Sequence, residues 1–209
     1  MKLVKPRYEI LTKIKRVDIL KKIEMAGRTC YKSDSEYTEK TGASFLSKII
    51  KRGHLSVIEH VSFTVKFICD RGVTHELVRH RLCAFSQEST RYCNYSGGLT
   101  FIIPLWLQNG LKEGEYKEQE TAPIDVWTWC NSMLKAEKDY KHLLQIGWTP
   151  QQARSVLPNS LKTEIVTTAN LREWKHIFNM RTSNAAHPQI REIMIPLQTE
   201  IGNILPELF

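Results

Sequence analysis

Val61, Phe63, Val65 and Phe67 alternate with Ser62, Thr64 and Lys66, the period-two pattern of a strand with one buried face. Asp70, Arg71 and Gly72 should turn the chain after it, and 73–81 then reads as a short helix. Elsewhere the apolar positions recur mostly at helical spacing. Ile19, Leu20 and Ile23 predict a first helix, capped by Asp18 and ending near Gly27. Phe45, Leu46, Ile49 and Ile50 predict a second, starting at Thr41 or Ala43 and stopped by Gly53. A further extended stretch covers 99–103 and is closed by Pro104, and the polar segment 108–121 reads as a mobile surface excursion. Pro123 opens a long helix to about Ile146, with Val126, Trp129, Met133, Tyr140 and Leu144 on its buried side and Gly147 at its end. Thr149 and Pro150 start the next helix, which Leu157 and Pro158 end. The stretch 162–169, with Ile165, Val166 and two threonines, suits a strand. Asn170 then caps a helix carrying Trp174, Ile177 and Phe178, and Pro188 begins the last one.

The pattern describes an α+β chain, helix-rich, with few strands and no regular βαβ alternation. No repeat or linker divides it, so residues 1–209 are expected to form a single domain. A 42% share of hydrophobic residues is enough to build its core. No run approaches the roughly 18–20 apolar residues of a membrane span, and the opening MKLVKPRYEI lacks the apolar stretch of a signal peptide, so a cytoplasmic protein with no membrane partner is expected. Five cysteines without a CxxC pair argue against a disulfide framework or a zinc site. They read as reduced thiols, mostly in the core. By the same compartment argument the Asn94-Tyr95-Ser96 sequon is idle. The balance of 30 Lys+Arg against 22 Asp+Glu gives +8, which favours an anionic partner: nucleic acid, a nucleotide or a phosphorylated cofactor.

No glycine-rich phosphate loop, HExxH or calcium loop is present, so arginines and helix ends would have to hold any phosphate. Arg79, His80 and Arg81, at the end of the helix read over 73–81, offer two planar donor forks and an imidazole. They suit a diphosphate, or equally a solvated basic helix end. Ser86, Gln87, Glu88, Ser89, Thr90 and Arg91 follow, with almost no apolar content, and suit a small polar heterocycle with a phosphate. His54, Ser56, Glu59 and His60 match no usual ligand spacing, so no metal is expected. Asn170, Arg172 and His176 fall on the first two turns of one helix, with Arg181 beyond them. No serine or cysteine has a neighbouring base. The residues alone give a protein that binds phosphorylated small molecules through arginines. Nucleic-acid binding stays open, since Tyr92, Tyr95 and Trp106 lie among the arginines and can stack on bases.

Arg79-His80-Arg81 followed at its spacing by Ser89, then Arg91-Tyr92, resembles the signature of the flavin-dependent thymidylate synthases. Gly53-His54-Leu55-Ser56 with Glu59-His60 upstream, and Ala153-Arg154, Leu157-Pro158, Asn170 to Trp174 and Arg181 downstream, continue the resemblance over about residues 10 to 205. The resemblance implies an α+β subunit around a small mixed or antiparallel sheet, and a homotetramer whose active sites are shared between subunits. It implies methylation of dUMP to dTMP with 5,10-methylenetetrahydrofolate as carbon donor and FAD, reduced by NADPH, as hydride source, with neither nucleic acid nor membrane as partner. Ser56, Arg79, His80, Arg81, Gln87, Asn170, Arg172 and His176 would then contact FAD. Glu76, Leu77, Val78, Arg79, Gln87, Glu88, Ser89, Thr90, Arg91, Arg154 and Arg181 would contact dUMP. Arg181 would activate the uracil, Ser89 would position it, and His54 would orient the folate or the flavin ring. Ala84, Gln87, His176 and Glu76 depart from commoner residues of that family. Glu76 is the most consequential, because a carboxylate near a nucleotide phosphate repels it unless it is turned away or paired.

Overall fold

The computed structural model describes residues 1–33, 36–116 and 122–209. Its strands are β1 (Lys2–Val4), β2 (Arg7–Ile10), β3 (Ser62–Asp70), β4 (Ala84–Gln87), β5 (Thr100–Ile102), β6 (Gly114–Glu115) and β7 (Lys162–Asn170). Its helices are α1 (Arg16–Tyr31), α2 (Glu39–Arg52), α3 (Arg71–Leu77), α4 (Ile124–Gln145), α5 (Pro150–Ala153), α6 (Leu171–Arg181) and α7 (Pro188–Ile204). One sheet has the order β5-β1-β6 and is mixed, since β1 pairs parallel with β5 and antiparallel with β6. The other has the order β2-β3-β7-β4. The chain is therefore helix-rich α+β with small sheets, as its patterning predicts.

The alternation of β3 is real: Val61, Phe63, Val65 and Phe67 are buried, and from Phe67 to the end of the strand every residue is. In β7 the buried positions are Thr163, Ile165, Thr167 and Ala169. Thr64 and Thr168 meet through their hydroxyls at 2.9 Å. Both strands end in a helix cap. Asp70 Oδ1 accepts from the Val73 amide at 2.7 Å, so Asp70 starts α3 directly and is no turn residue. Asn170 Oδ1 accepts from the Glu173 amide at 2.9 Å and starts α6, as predicted.

Several boundaries differ from the reading of the sequence. Asp18 lies in the first turn of α1 and does not cap it, and the helix runs through Gly27 to Tyr31. Gly27 serves packing: a Cβ there would come within 2.2 Å of Phe45 Cζ, so the glycine lets α1 lie close against α2. The start of α2 is set by Thr38, whose hydroxyl accepts from the Thr41 amide while Thr41 Oγ1 accepts from Thr38. Gly53 ends it at φ 70°, where glycine carries no Cβ penalty. α3 stops at Leu77, which leaves Arg79, His80 and Arg81 in the turn beyond it, and β4 (Ala84–Gln87) takes in Ser86 and Gln87, the first two residues of the polar run 86–91. Pro123 caps α4 from outside its first turn. The excursion 108–121 contains β6, and 117–121 lie outside the described residues. Cys69 and Cys130 are buried, Cys83 and Cys93 half-buried and Cys30 exposed, so fewer thiols are core than composition suggested. No helix of the described residues is long and apolar enough to cross a membrane.

The chain resolves into two compact units. The first comprises Met1–Arg7, Phe67–Arg79 and Ser86–Ile165. Its core gathers Leu3, Phe101, Leu107, Val126, Met133 and Tyr140, which joins the inner face of α4 to β1 and β5. The second comprises Tyr8–Lys66, His80–Phe85 and Val166–Phe209. There α1 packs on α2 and α6 on α7. Trp174, fully buried, stacks on Phe63 at 4.7 Å between ring centroids and donates its indole N–H to the Phe63 carbonyl at 3.1 Å.

Trp174→Ala should therefore cost about 3–5 kcal/mol and Trp174→Phe about 1–2, the latter mainly from the carbonyl left without its donor. Urea unfolding of both variants beside the parent checks the order and the size.

Candidate active site

In the first unit the polar stretch after β4 is held by its own side chains. Gln87 Nε2 donates to the hydroxyls of Thr74 at 3.0 Å and Thr163 at 3.3 Å. The Glu88 carboxylate accepts from Tyr95 Oη at 2.8 Å and from Lys162 Nζ at 3.1 Å. Lys162 also reaches Glu164 at 2.7 Å. Burial works against the Lys162 charge, yet the bonds to Glu164 and Glu88 outweigh it and raise its pKa. Burial, with Glu88 beside it, pushes the Tyr95 phenol up as well, so it stays a donor.

Ser89 turns the chain. Its carbonyl accepts from Cys93 at 2.9 Å and Tyr92 at 3.2 Å, and its hydroxyl accepts from the Arg91 amide at 3.2 Å. Exposed Arg91 donates through Nε to Gln151 Oε1 of α5 at 3.1 Å and lies over the Tyr92 ring. Arg154, in the turn following α5, reaches Thr90 Oγ1 in a long bond of 3.5 Å. Two exposed guanidinium groups are thus anchored by neutral partners, Arg91 by Gln151 and Arg154 by Thr90, which leaves their charge to an anion. On and just after α3, Leu77 is fully buried, Glu76 half-buried, and Val78 and Arg79 exposed.

The second unit holds the other constellation. Arg81 is exposed, but His80 between the two arginines turns inward, with its side chain only 3% accessible. Arg181, at the end of α6, donates from Nε to His80 Nε2 at 3.0 Å. On the other side of the ring His80 Nδ1 lies 3.4 Å from Glu173 Oε1. His176 meets the His80 ring edge-on at 5.6 Å. Burial, then the positive Arg181 and then His176 push His80 down to about 4, so it is neutral near pH 7. Burial, with Glu173 nearby, pushes the Cys83 thiol up to about 12, which removes it as a nucleophile.

His80, Glu173 and His176 bring ligand-type atoms within 4.8 Å of one another. A cation there would have to displace the Nδ1 proton while Nε2 still accepts from Arg181, and it would face the guanidinium charge. The chemistry of the group thus suits a cation poorly.

Asn170, Arg172, Lys175 and His176 line a groove of about 680 Å³ together with Leu55, Leu82, Asn179 and the carboxylates of Glu59 and Glu173. Arg172 pairs with Glu59 at 2.6 Å on its rim. Leucines for an aromatic ring system and cationic or amide groups for phosphate and ribose meet there, so the donor set fits a flavin nucleotide. His54 and Ser56 are exposed and line a separate cavity of about 180 Å³ with Phe45, Lys48, Ile49 and Arg52. Sequence reasoning missed Glu173, Lys162 and Gln151, and offered Tyr95 only as a base-stacking ring. Glu173 stands three residues after a helix cap, where an acidic residue reads as part of the cap.

The model of the thymidylate synthase complementing protein family matches residues 14–207. The flavin-dependent thymidylate synthase of Mycobacterium sp. (strain JLS) is 36% identical over 197 residues, covering 90% of this chain and 77% of its own. That of Mycobacterium avium (strain 104) is 34% identical over 198 residues with the same coverage. Among solved structures, a UMP/dUMP methylase, PolB, from Streptomyces cacaoi bound with 5-Br UMP superposes with a TM-score of 0.78 at 21% identity, covering 100% of this chain and 94% of its own. That last likeness establishes a shared fold.

His80 makes stability depend on acid. Between its ordinary value of 6.5 and about 4 the unfolded chain binds a proton that the folded protein refuses, so stability is intact above the window and falls as pH drops through it. The expected loss between pH 7 and pH 4 is about 3 kcal/mol from this residue. Urea unfolding across that range should show a shallower decline in His80→Gln than in the parent.

Proposed function

The chain belongs to the thymidylate synthase complementing protein family, the flavin-dependent thymidylate synthases, and from that membership we propose that it methylates dUMP to dTMP. In this reading 5,10-methylenetetrahydrofolate donates the carbon. FAD, reduced by NADPH, supplies the hydride when bound. The observation that carries the reading is α6: Asn170, Arg172 and His176 face one groove, and Arg181 ends the same helix with its guanidinium held by a buried neutral histidine.

Each residue then has a task in this reading. Arg79 and Arg81, exposed on either side of His80, supply cations for the FAD diphosphate, while Asn170, Arg172 and His176 supply hydrogen bonds from the groove; Ser56, which lines the separate cavity with His54, is given to FAD on the family resemblance alone. Arg91 and Arg154 take the dUMP phosphate. Gln87 and Glu88 have side chains engaged with Thr74, Thr163, Tyr95 and Lys162, so they shape the nucleotide site more than they bind in it. Glu76, Val78 and Thr90 complete its wall, and the fully buried Leu77 packs behind it. Arg181 stabilises the negative charge that develops on the uracil as N3 loses proton character. Ser89 positions the ring; its hydroxyl accepts from the Arg91 amide, and no base activates it. His54 orients the folate or the flavin ring. The enzyme works in the cytoplasm as a homotetramer with shared active sites, and subunit contacts account for exposed apolar side chains such as Met180.

The purified protein should show a flavin absorption band that bleaches under anaerobic NADPH and returns with dTMP formation once dUMP and methylenetetrahydrofolate are present. A colourless protein that takes up no added FAD would sink the reading and make nucleic-acid binding the next test. Arg181→Ala should keep flavin and lose about 10²-fold or more of dTMP formation. Ser89→Ala should retain weakened, measurable turnover; complete loss with dUMP binding unchanged would make Ser89 a nucleophile.

A further inference from the structure

Arg181 has a tether as well as a proposed substrate. Its Nε–H donates to His80 Nε2 at 3.0 Å. A guanidinium only donates and keeps its charge at any ordinary pH, so Nε2 must present a bare lone pair. The single proton of the neutral ring is then on Nδ1. That nitrogen lies 3.4 Å from Glu173 Oε1, with the two side chains 3% and 7% accessible. A carboxylate this buried is costly unless it does something for its neighbours.

Glu173 has an obvious alternative use. As the third residue of α6, after the capping Asn170, it is placed for a carboxylate that closes a capping box on the Asn170 amide. Its backbone N–H does bond to the Asn170 side chain, but its carboxylate turns to the imidazole. Glu173 and Arg181 stand more than two turns apart along α6, and a residue from outside the helix, His80, meets both.

We propose that Glu173 is a positioning residue: by holding the proton on His80 Nδ1 it fixes the tautomer whose Nε2 accepts from Arg181, and so fixes the direction of the guanidinium toward the pyrimidine. The logic is that of a buried carboxylate orienting a histidine in a hydrolase triad, with an arginine in place of the serine. Two neutral tautomers of His80 differ by one proton position, but only one can accept from Arg181. Without the carboxylate the ring is free to carry its proton on Nε2, and Arg181 then loses its bond to His80. The inference rests on the functional reading of Arg181.

The test is two-bond ¹H–¹⁵N correlation on histidine-labelled, flavin-loaded protein, with His80 assigned by the His80→Gln variant. The parent should show the Nδ1–H tautomer; an Nε2–H pattern in the parent overturns the proposal without any mutation at Glu173. In Glu173→Gln, whose amide can present N–H to Nδ1, the tautomer should change. kcat should then fall about 10²-fold with the dUMP KM and flavin content within a few-fold of the parent, and Glu173→Asp should recover part of the rate. An unchanged tautomer in Glu173→Gln overturns the proposal. So does a changed tautomer with normal kcat while Arg181→Ala is inactive. If Arg181→Ala also turns over normally, the functional reading of Arg181 has failed first and takes the inference with it.

Discussion

The amides at the start of a helix need acceptors, and in this protein two side chains supply them at decisive places. Asp70 closes β3 and Asn170 closes β7, and each accepts from the amide three residues on. No loop intervenes between strand and helix. The register of a strand therefore fixes the rotation of the helix that leaves it, and with it the direction of every side chain on that helix. On α6 this sends Trp174, Ile177 and Phe178 into the core. It sets Glu173 and His176, three residues apart, side by side on the flank of that face, and it ends the helix with Arg181 against His80. Were Asn170 followed by a flexible linker, nothing would hold the Arg181 guanidinium against His80.

Charge in this constellation is managed by neutralising one member. A protonated His80 would set a second cation against Arg181 in a dry site and would give Nε2 a hydrogen where it must accept one. Both effects act in the same direction as burial, which is why the ring is neutral far below its ordinary range. The Glu173 carboxylate does not reverse this, because the neutral tautomer already points its only proton toward Oε1. One carboxylate, one neutral ring and one guanidinium make a chain in which each hydrogen-bond direction is forced by the next. Such chains hold geometry well because changing one link misplaces the others.

The sequence announces whatever is regular over several residues. The alternation from Val61 to Phe67, the apolar face of α4, the glycine ending α2 and the cap at Asn170 all survive as read, since each rests on a local period or a single backbone demand. Short strands such as β1, β4 and β6 offer too few alternations to register, and tertiary pairing alone makes them strands. Gly27 misleads for another reason: in sequence it looks like a helix stop, and only the approach of Phe45 shows that a small residue was needed there. Among the candidate site residues, arginines were legible because their number and placement were unusual. Glu173 was not, because its position has a sufficient local explanation and its true partner is distant in sequence.

The stretch from Ser86 to Arg91 shows how a polar sequence divides between structure and binding. Its scarcity of apolar residues suggests a segment with little to gain from burial, whose groups are all available to a ligand. Yet Gln87 and Glu88 are spent on Thr74, Thr163, Tyr95 and Lys162, and the Ser89 hydroxyl on its own turn. Hydrogen bonds satisfy these groups where they stand, so burial costs them little. What remains exposed is the charge, on Arg91 and Arg154, each anchored at one point to neutral groups that leave its cation uncancelled. A neutral anchor orients a guanidinium without pairing it. An acidic residue in the place of Gln151 or Thr90 would tie the fork equally well and quench the positive field, and a dianionic phosphate would then find little to bind.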